Sequence, residues 1–395
     1  MVDRITRTEH KGFFSRLINS VVGVLVGFVM VPGSVALMTW NEYRTIHRTQ
    51  GLIQAEKVVA EAPSPFEPSV ELDNRLVHVT GIATTDEMLT DGVFDIGKKV
   101  LRLERKVEMF QWVESKESRT RDKLGGGKET ITTYEYQKKW HGDRVNSQSF
   151  EQPNGHENPQ PKFASTSLIT DKATLGAFHL RTSLVGAIDA WTDVAIDQAT
   201  VLSKLAEDER IHYKVDGGYL RYCVGTPAKT EPEVGDLRIQ FRVVEPTTVS
   251  LLSQQKGKEF EPFKAKNGET IESIETGERT AAQMFDSLRF ENTALATILR
   301  IVGWVLACVG FSMIAAPLKA VANVVPLFGK MVGFATILIG FILGSILALI
   351  TISVAWIAVR PVFSLSLLAI AGVGIYFVFR RKQTQEPPMA VLVDP

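Results

Sequence analysis

The chain has 395 residues, with 44 basic and 44 acidic side chains and a 45% hydrophobic share, the totals of an ordinary neutral protein. The distribution is not ordinary: residues 17–41 hold no charged side chain, and residues 301–379 hold only Lys319, Lys330 and Arg360. Long apolar runs exclude a soluble cytosolic enzyme and a disordered chain. The segment from Glu42 to Arg300 carries 34 Lys and Arg against 40 Asp and Glu, so it lacks the basic excess that nucleic-acid binding requires.

Residues 1–16 form a basic head with Arg4, Arg7, Lys11 and Arg16. The apolar stretch Leu17–Trp40 follows. It resembles a signal peptide in its order of charge and apolarity, but it exceeds the roughly 15 apolar residues of a signal core and shows no small-x-small cleavage site before Glu42. It is therefore expected to be an uncleaved first transmembrane helix. Residues 41–300 then make a folded extracytoplasmic domain, too long to be a connecting loop. Three further spans are expected at residues 301–318, 331–359 and 361–379, each long enough at 1.5 Å per residue to cross a hydrocarbon core of about 30 Å. Residues 319–330 make an apolar segment lying at the cytoplasmic interface, and residues 380–395 make a short tail.

Positive charge sets the orientation. The head, Lys319, Lys330, Arg380, Arg381 and Lys382 all fall on one side of a four-span chain, and the opposite short loop holds only Arg360. Both ends are expected in the cytoplasm and the domain outside it. No Asn-x-Ser/Thr sequence occurs in the domain, which suits a bacterial periplasm better than a eukaryotic lumen. Cys223 and Cys308 lie in different compartments and are expected to stay unbridged. Trp40, Arg44, Lys319, Lys330, Arg360, Arg380 and Arg381 are the candidate membrane-interface residues.

Within the domain, Arg75–Gly81 and Lys99–Val113 alternate with the period of a strand, and Val107, Met109, Gln111 and Val113 share one face. Gly125, Gly126, Gly127 and Lys128 then precede a second strand, Thr130–Trp140. The glycines read as a hairpin tip and not as a phosphate loop, because Glu129 follows the lysine and a strand follows the glycines. Helical character is expected at Ala187–Asp208 and Thr280–Leu288, the latter capped by Thr276 or Thr280. Strands return at Leu237–Val244 and Thr247–Leu252.

Chemistry is sparse. The seven histidines have no metal-ligand spacing, no nucleophile motif is present, and the acidic run Glu269–Glu278 lacks the geometry of a calcium loop. No catalytic residue, cofactor or metal is expected. No span has an ionisable residue near its centre, which argues against a pump. The spans do place small residues at helix-packing intervals: Gly23 and Gly27, Gly303 and Gly310, Gly340 and Gly344.

Several strings resemble the transmembrane protein 43 family, also called LUMA: Asn41-Glu42 and Arg44 after the first span, RLVHVTG at Arg75–Gly81 and VEMFQWVESKES at Val107–Ser118. GHENP, with Gly155, His156, Asn158 and Pro159, is similar too, as are PEVGDLRIQF at Pro232–Phe241 and PFKAKNGET at Pro262–Thr270. The resemblance implies four spans, a large exported loop and cytoplasmic ends. For animal members it implies the endoplasmic reticulum and inner nuclear membrane, self-association, and scaffolding with lamins and emerin.

The expected fold class is a multi-pass α-helical membrane protein, with four transmembrane helices and a large β-rich α+β extracytoplasmic domain. The expected function is a non-enzymatic membrane scaffold that forms a homo-oligomer in the lipid bilayer and organises the membrane or its protein complexes. The expected location is a bacterial plasma membrane. Other membrane or envelope proteins are candidate partners. The alternatives are an extracytoplasmic sensor that signals through a membrane partner, and an enzyme whose site is assembled only by folding.

Overall fold

A computed structural model describes residues 3–123, 127–205, 207–225, 231–322, 326–357 and 361–383. Gly125, Gly126 and Arg360 lie outside the described residues, as do residues 323–325 of the expected interfacial segment. The chain divides into two compact units. One gathers Met1–Arg7, Gln50–Glu117 and Thr132–Arg289; the other gathers Thr8–Thr49, Ser118–Ile131 and Phe290–Pro395.

The first unit is β-rich. Strand Leu237–Val244 shows why: Leu237, Ile239, Phe241 and Val243 point inward and are almost fully buried, while Arg238, Gln240 and Arg242 alternate outward. Period-two alternation of this kind buries one face of a sheet and leaves the other to polar groups. The strand pairs antiparallel with Arg102–Asp122, in a register that sets Arg238 opposite Glu108 and Arg242 opposite Glu104. Both couples form ion pairs, the cross-strand arrangement that supports a sheet locally. The inward face packs Leu103, Val107, Met109, Ile239 and Phe241 against Phe94.

Six strands of this eight-stranded sheet run in the order Asp3–Lys11, Lys128–His141, Arg102–Asp122, Leu237–Val244, Tyr219–Tyr222, Tyr213–Asp216, while Thr166–Ile169 pairs with Arg102–Asp122 and Trp191–Asp193 with Leu237–Val244. The outermost strand is made by residues of the basic head. Residues 3–11 are extended, and Arg4 bonds Glu135 at 3.1 Å while Arg7 bonds Glu151 at 2.6 Å. Local composition does not announce such a strand, because it is exposed almost throughout.

A second, seven-stranded sheet centres on Thr247–Lys256, paired antiparallel with Leu76–Thr84 from Thr247 opposite Ala83 to Gln254 opposite Leu76. Its core holds Val77, Val79, Val249, Leu251 and the stacked rings of Phe178 and Phe260. Helices in the domain are short. Of the helix expected over Ala187–Asp208, α3 (Gln198–Ser203) forms, and α2 (Thr182–Ala187) reaches only the first residue of that range.

The long helices are α1 (Phe13–Glu56), α4 (Ala281–Ile314), α6 (Pro326–Trp356) and α7 (Pro361–Gln383), with the short α5 (Ala316–Ala322) between α4 and α6. Thr280 caps α4 by a reciprocal box. Its hydroxyl accepts from the Gln283 amide at 3.3 Å, and the Gln283 side chain accepts from the Thr280 amide at 2.9 Å. Leu52 and Ala55 of α1 and Met284, Phe285 and Leu288 of α4 are buried with Leu76, Leu252 and Ile271 in the first unit. The helix ends thus belong to the core of the β domain.

Three helical stretches, Ile18–Glu56, Ala281–Ile314 and Met331–Trp356, are long and apolar enough to cross a membrane. In α7 the apolar stretch Ser364–Tyr376 is shorter. Large apolar side chains such as Leu25, Phe28, Val29, Phe334 and Ile337 are exposed on the helices, as lipid-facing positions must be.

A polar lock in the helix bundle as candidate functional site

On α1, Asn41, Thr45 and Thr49 recur every four residues, so they stack on one face of the helix. On α4, Asn292, Ala296 and Arg300 do the same. The helices run antiparallel, and the two rows meet. Asn41 Nδ2 donates to the Ala296 carbonyl at 3.0 Å; Asn292 Nδ2 donates to the Thr45 carbonyl and to Thr49 Oγ1, both at 3.2 Å. Asn41, Thr45 and Asn292 are buried. Each asparagine thus bridges to the backbone or a hydroxyl of the opposite helix through Nδ2, while its Oδ1 is buried without a partner among the described residues.

Next to this row, Glu42 is fully buried. Its two oxygens accept from Arg300 Nε at 2.6 Å and Nη2 at 2.7 Å, a bidentate fork. Trp356, at the end of α6, donates its indole N–H to the same carboxylate. One acidic residue therefore joins three helices. Among the described residues no three His, Cys, Asp or Glu side chains gather as a metal-binding group. The arrangement has the chemistry of a clamp: the Arg300 guanidinium neutralises the carboxylate, and the Trp356 indole adds an uncharged hydrogen bond to it.

Away from this lock the helices approach through glycine. A Cβ built on Gly27 would lie 2.6 Å from the Gly310 carbonyl, and one on Gly303 would lie 2.4 Å from Met38. Between α4 and α6, a Cβ on Gly340 would fall 2.0 Å from Ser312 Oγ, the tightest of these, and one on Gly344 would fall 2.6 Å from Cys308 Sγ. Gly23 is different, since its Cβ would meet only Met313 at an ordinary 3.7 Å. Trp304 adds an indole bond to Ser345 Oγ at 2.9 Å between α4 and α6.

The interface candidates separate. Trp40 is exposed, Arg44 is half-buried, and Lys319 is exposed on α5. Lys330 falls within α6, and Arg380 and Arg381 fall within α7. Glu42, Arg300, Asn292 and Trp356 were not candidates from sequence. Charge at the edge of an apolar run reads as solvated, and only the pairing of α1 with α4 reveals it as internal.

In the β domain the motif residues hold turns and strand crossings. Asn158 donates from Nδ2 to the Trp112 carbonyl at 2.9 Å and accepts from the Trp112 amide at 2.8 Å, so its side chain imitates a strand neighbour. His156 is buried, stacked on Tyr136 at 4.0 Å and edge-on to Trp112. Its Nε2 lies 3.3 Å from Asp3 of the outermost strand. Tyr136 donates its hydroxyl to Glu114 at 2.7 Å; burial, and then that bond, push its phenol up to about 12. His78 is buried between Glu61 at 2.5 Å and the Arg279 carbonyl at 2.8 Å, tying the chain just after α1 to the chain just before α4. Cys223 and Cys308 are both free; burial, with the Asp236 carboxylate close by, raises the Cys223 thiol above its usual value.

The family model of transmembrane protein 43 matches residues 109–361. The chain is 27% identical to human transmembrane protein 43 over 383 residues, covering 94% of this chain and 93% of that protein. It is 28% identical to the orangutan (Pongo abelii) protein, with 94% of each chain covered, and 27% identical to the Drosophila melanogaster homolog, with 90% of this chain and 94% of the homolog covered. No solved structure matches it. By the extent of these matches, which take in both the β domain and the helices, the chain belongs to the transmembrane protein 43 family.

Proposed function

We propose that this membrane protein is a non-enzymatic scaffold, in which the helices anchor the β-rich domain and copies of the chain self-associate to organise the membrane or its protein complexes. The observation that carries the reading is the use made of its buried polar groups. Glu42, Asn41 and Asn292 in the helices, and His78, His156 and Asn158 in the domain, are engaged in bonds that join one element to another. A scaffold needs rigid joints of this kind, whereas a catalyst needs polar groups held ready for a substrate. In the proposed arrangement α7 is a fourth crossing, the β domain lies outside the cytosol, and the membrane is a bacterial plasma membrane.

Self-association is the test. Full-length protein extracted in mild detergent and measured by light scattering should have a mass of two or more chains after subtraction of the detergent, and amine cross-linking in native membranes should give the same multiple. A monomer by both measurements would refute the scaffold reading.

A further inference from the structure

Asparagine followed by glycine occurs twice in the chain, at Asn154-Gly155 and Asn267-Gly268. The pair is chemically labile: the amide nitrogen of the second residue can attack the side-chain carbonyl of the first, and glycine, with no Cβ, leaves that nitrogen uncrowded. The two pairs are held differently.

Asn267 is tied down. Its Oδ1 accepts from the Glu269 amide at 3.1 Å, and the Gly268 amide, the nitrogen that would attack, donates to the Ala265 carbonyl at 2.8 Å. A neutral carbonyl is too weak a base to take the proton that this nitrogen must lose. Asn154 is exposed, and its side chain makes no hydrogen bond among the described residues. Its turn is closed by the His156 amide on the Pro153 carbonyl at 3.0 Å, with Gly155 at φ +85° in the third position, the conformation that a type II turn gives to glycine. A Cβ built on Gly155 would meet nothing within 4 Å, so the space beside it is open. The Gly155 N–H donates to Glu157 Oε1 at 3.0 Å, within the reach of a general base. That bond holds the Glu157 carboxyl below its usual range and keeps it ionised at neutral pH.

We propose that Asn154 is a site of spontaneous modification, deamidating through attack by the Gly155 nitrogen while Glu157 takes the proton. The bond from Gly155 N to Asn154 Cγ forms, the Cγ–Nδ2 bond breaks, and Nδ2 leaves as ammonia with that proton. Water then opens the resulting succinimide at either carbonyl, which leaves aspartate or isoaspartate. Either product adds a negative charge close to Glu157, and isoaspartate adds a backbone carbon to the turn that seats His156 on Tyr136. The inference stands apart from the scaffold reading, since it needs neither self-association nor a particular topology.

The test keeps the full-length protein in detergent in warm, mildly alkaline buffer and follows its tryptic peptides by mass spectrometry. The peptide of residues 145–162 should gain the mass of an amide-to-acid change at Asn154, in aspartyl and isoaspartyl forms that separate by chromatography, well before the peptide of residues 267–279 changes at Asn267. Glu157→Gln should slow the change at Asn154 by about tenfold or more, the loss of a positioned base. Should that variant melt early, Glu157→Asp replaces it, because the shorter carboxylate draws back from the Gly155 amide. An unmodified Asn154, equal rates at the two pairs in the folded protein, or an unslowed reaction in the normally melting variant would each overturn the proposal.

Discussion

Glu42 and Arg300 face each other across α1 and α4 through two parallel bonds of 2.6 and 2.7 Å, and the carboxylate has no solvent exposure. A buried pair adds little over well-packed apolar side chains, yet removing one member leaves the other charge stranded, at a cost of about 3–5 kcal/mol. Glu42→Gln should therefore lower the melting temperature of the detergent-solubilised protein substantially. The double variant Glu42→Gln with Arg300→Met should recover much of the loss. A double variant that is no more stable than Glu42→Gln would argue against this pairing.

The glycine notches differ among themselves in a way that spacing alone does not show. Gly340→Ala drives a methyl group to within 2.0 Å of Ser312 Oγ and 2.6 Å of the Cys308 carbonyl, so α4 and α6 must separate; overpacking of this kind costs about 1–3 kcal/mol. Gly23→Ala meets Met313 at 3.7 Å and should be neutral or slightly stabilising, because alanine is the better helix former. Thermal unfolding of the two variants side by side checks the contrast.

Tyr136 supplies a pH dependence. Its phenol is pushed up to about 12 in the folded domain by burial and the Glu114 bond, whereas an unfolded tyrosine ionises near about 10. The folded state holds this proton more tightly. The resulting stability is fully present below about pH 10 and is lost as pH rises through about 12. Tyr136→Phe should flatten the fall in melting temperature across that window; an unchanged slope would assign the alkaline loss to other groups.

The strand Asp3–Lys11 makes a prediction about compartments. A strand hydrogen-bonded within a sheet shares the compartment of that sheet, and Arg4 bonds Glu135 in the β domain. A cysteine pair at Arg4→Cys and Glu135→Cys that cross-links in sealed native membranes would put both ends of α1 in one compartment and overturn the proposed crossing by α1. The charge distribution favours the opposite, a cytoplasmic head. Labelling of the Arg4→Cys thiol from the cytoplasmic side alone, without the cross-link, would mean that the strand is unpaired in the membrane.

Much of the architecture is legible in local sequence because local physics decides it. Leu237–Val244 is a strand in both readings, since alternation fixes which side chains can be buried. Thr280 and Gln283 announce the start of α4 three residues apart, as a capping box must. The helix expected over Ala187–Asp208 shrank to α3 because most of that segment meets the domain through irregular backbone and the short strand Trp191–Asp193. Its apolar spacing serves burial, not a helical face.

The sequence alone determined the partition between lipid and water, the strand periods and the small residues available for helix contact, because each depends on composition over a few residues. Tertiary structure alone decided that Glu42 finds Arg300, 258 positions away, that Asn158 binds back to Trp112, and that Gly340 is tight where Gly23 is loose. Those outcomes depend on which faces meet after folding. A charge beside an apolar run looks the same on paper whether it ends in water or in a fork with another helix, as at Glu42.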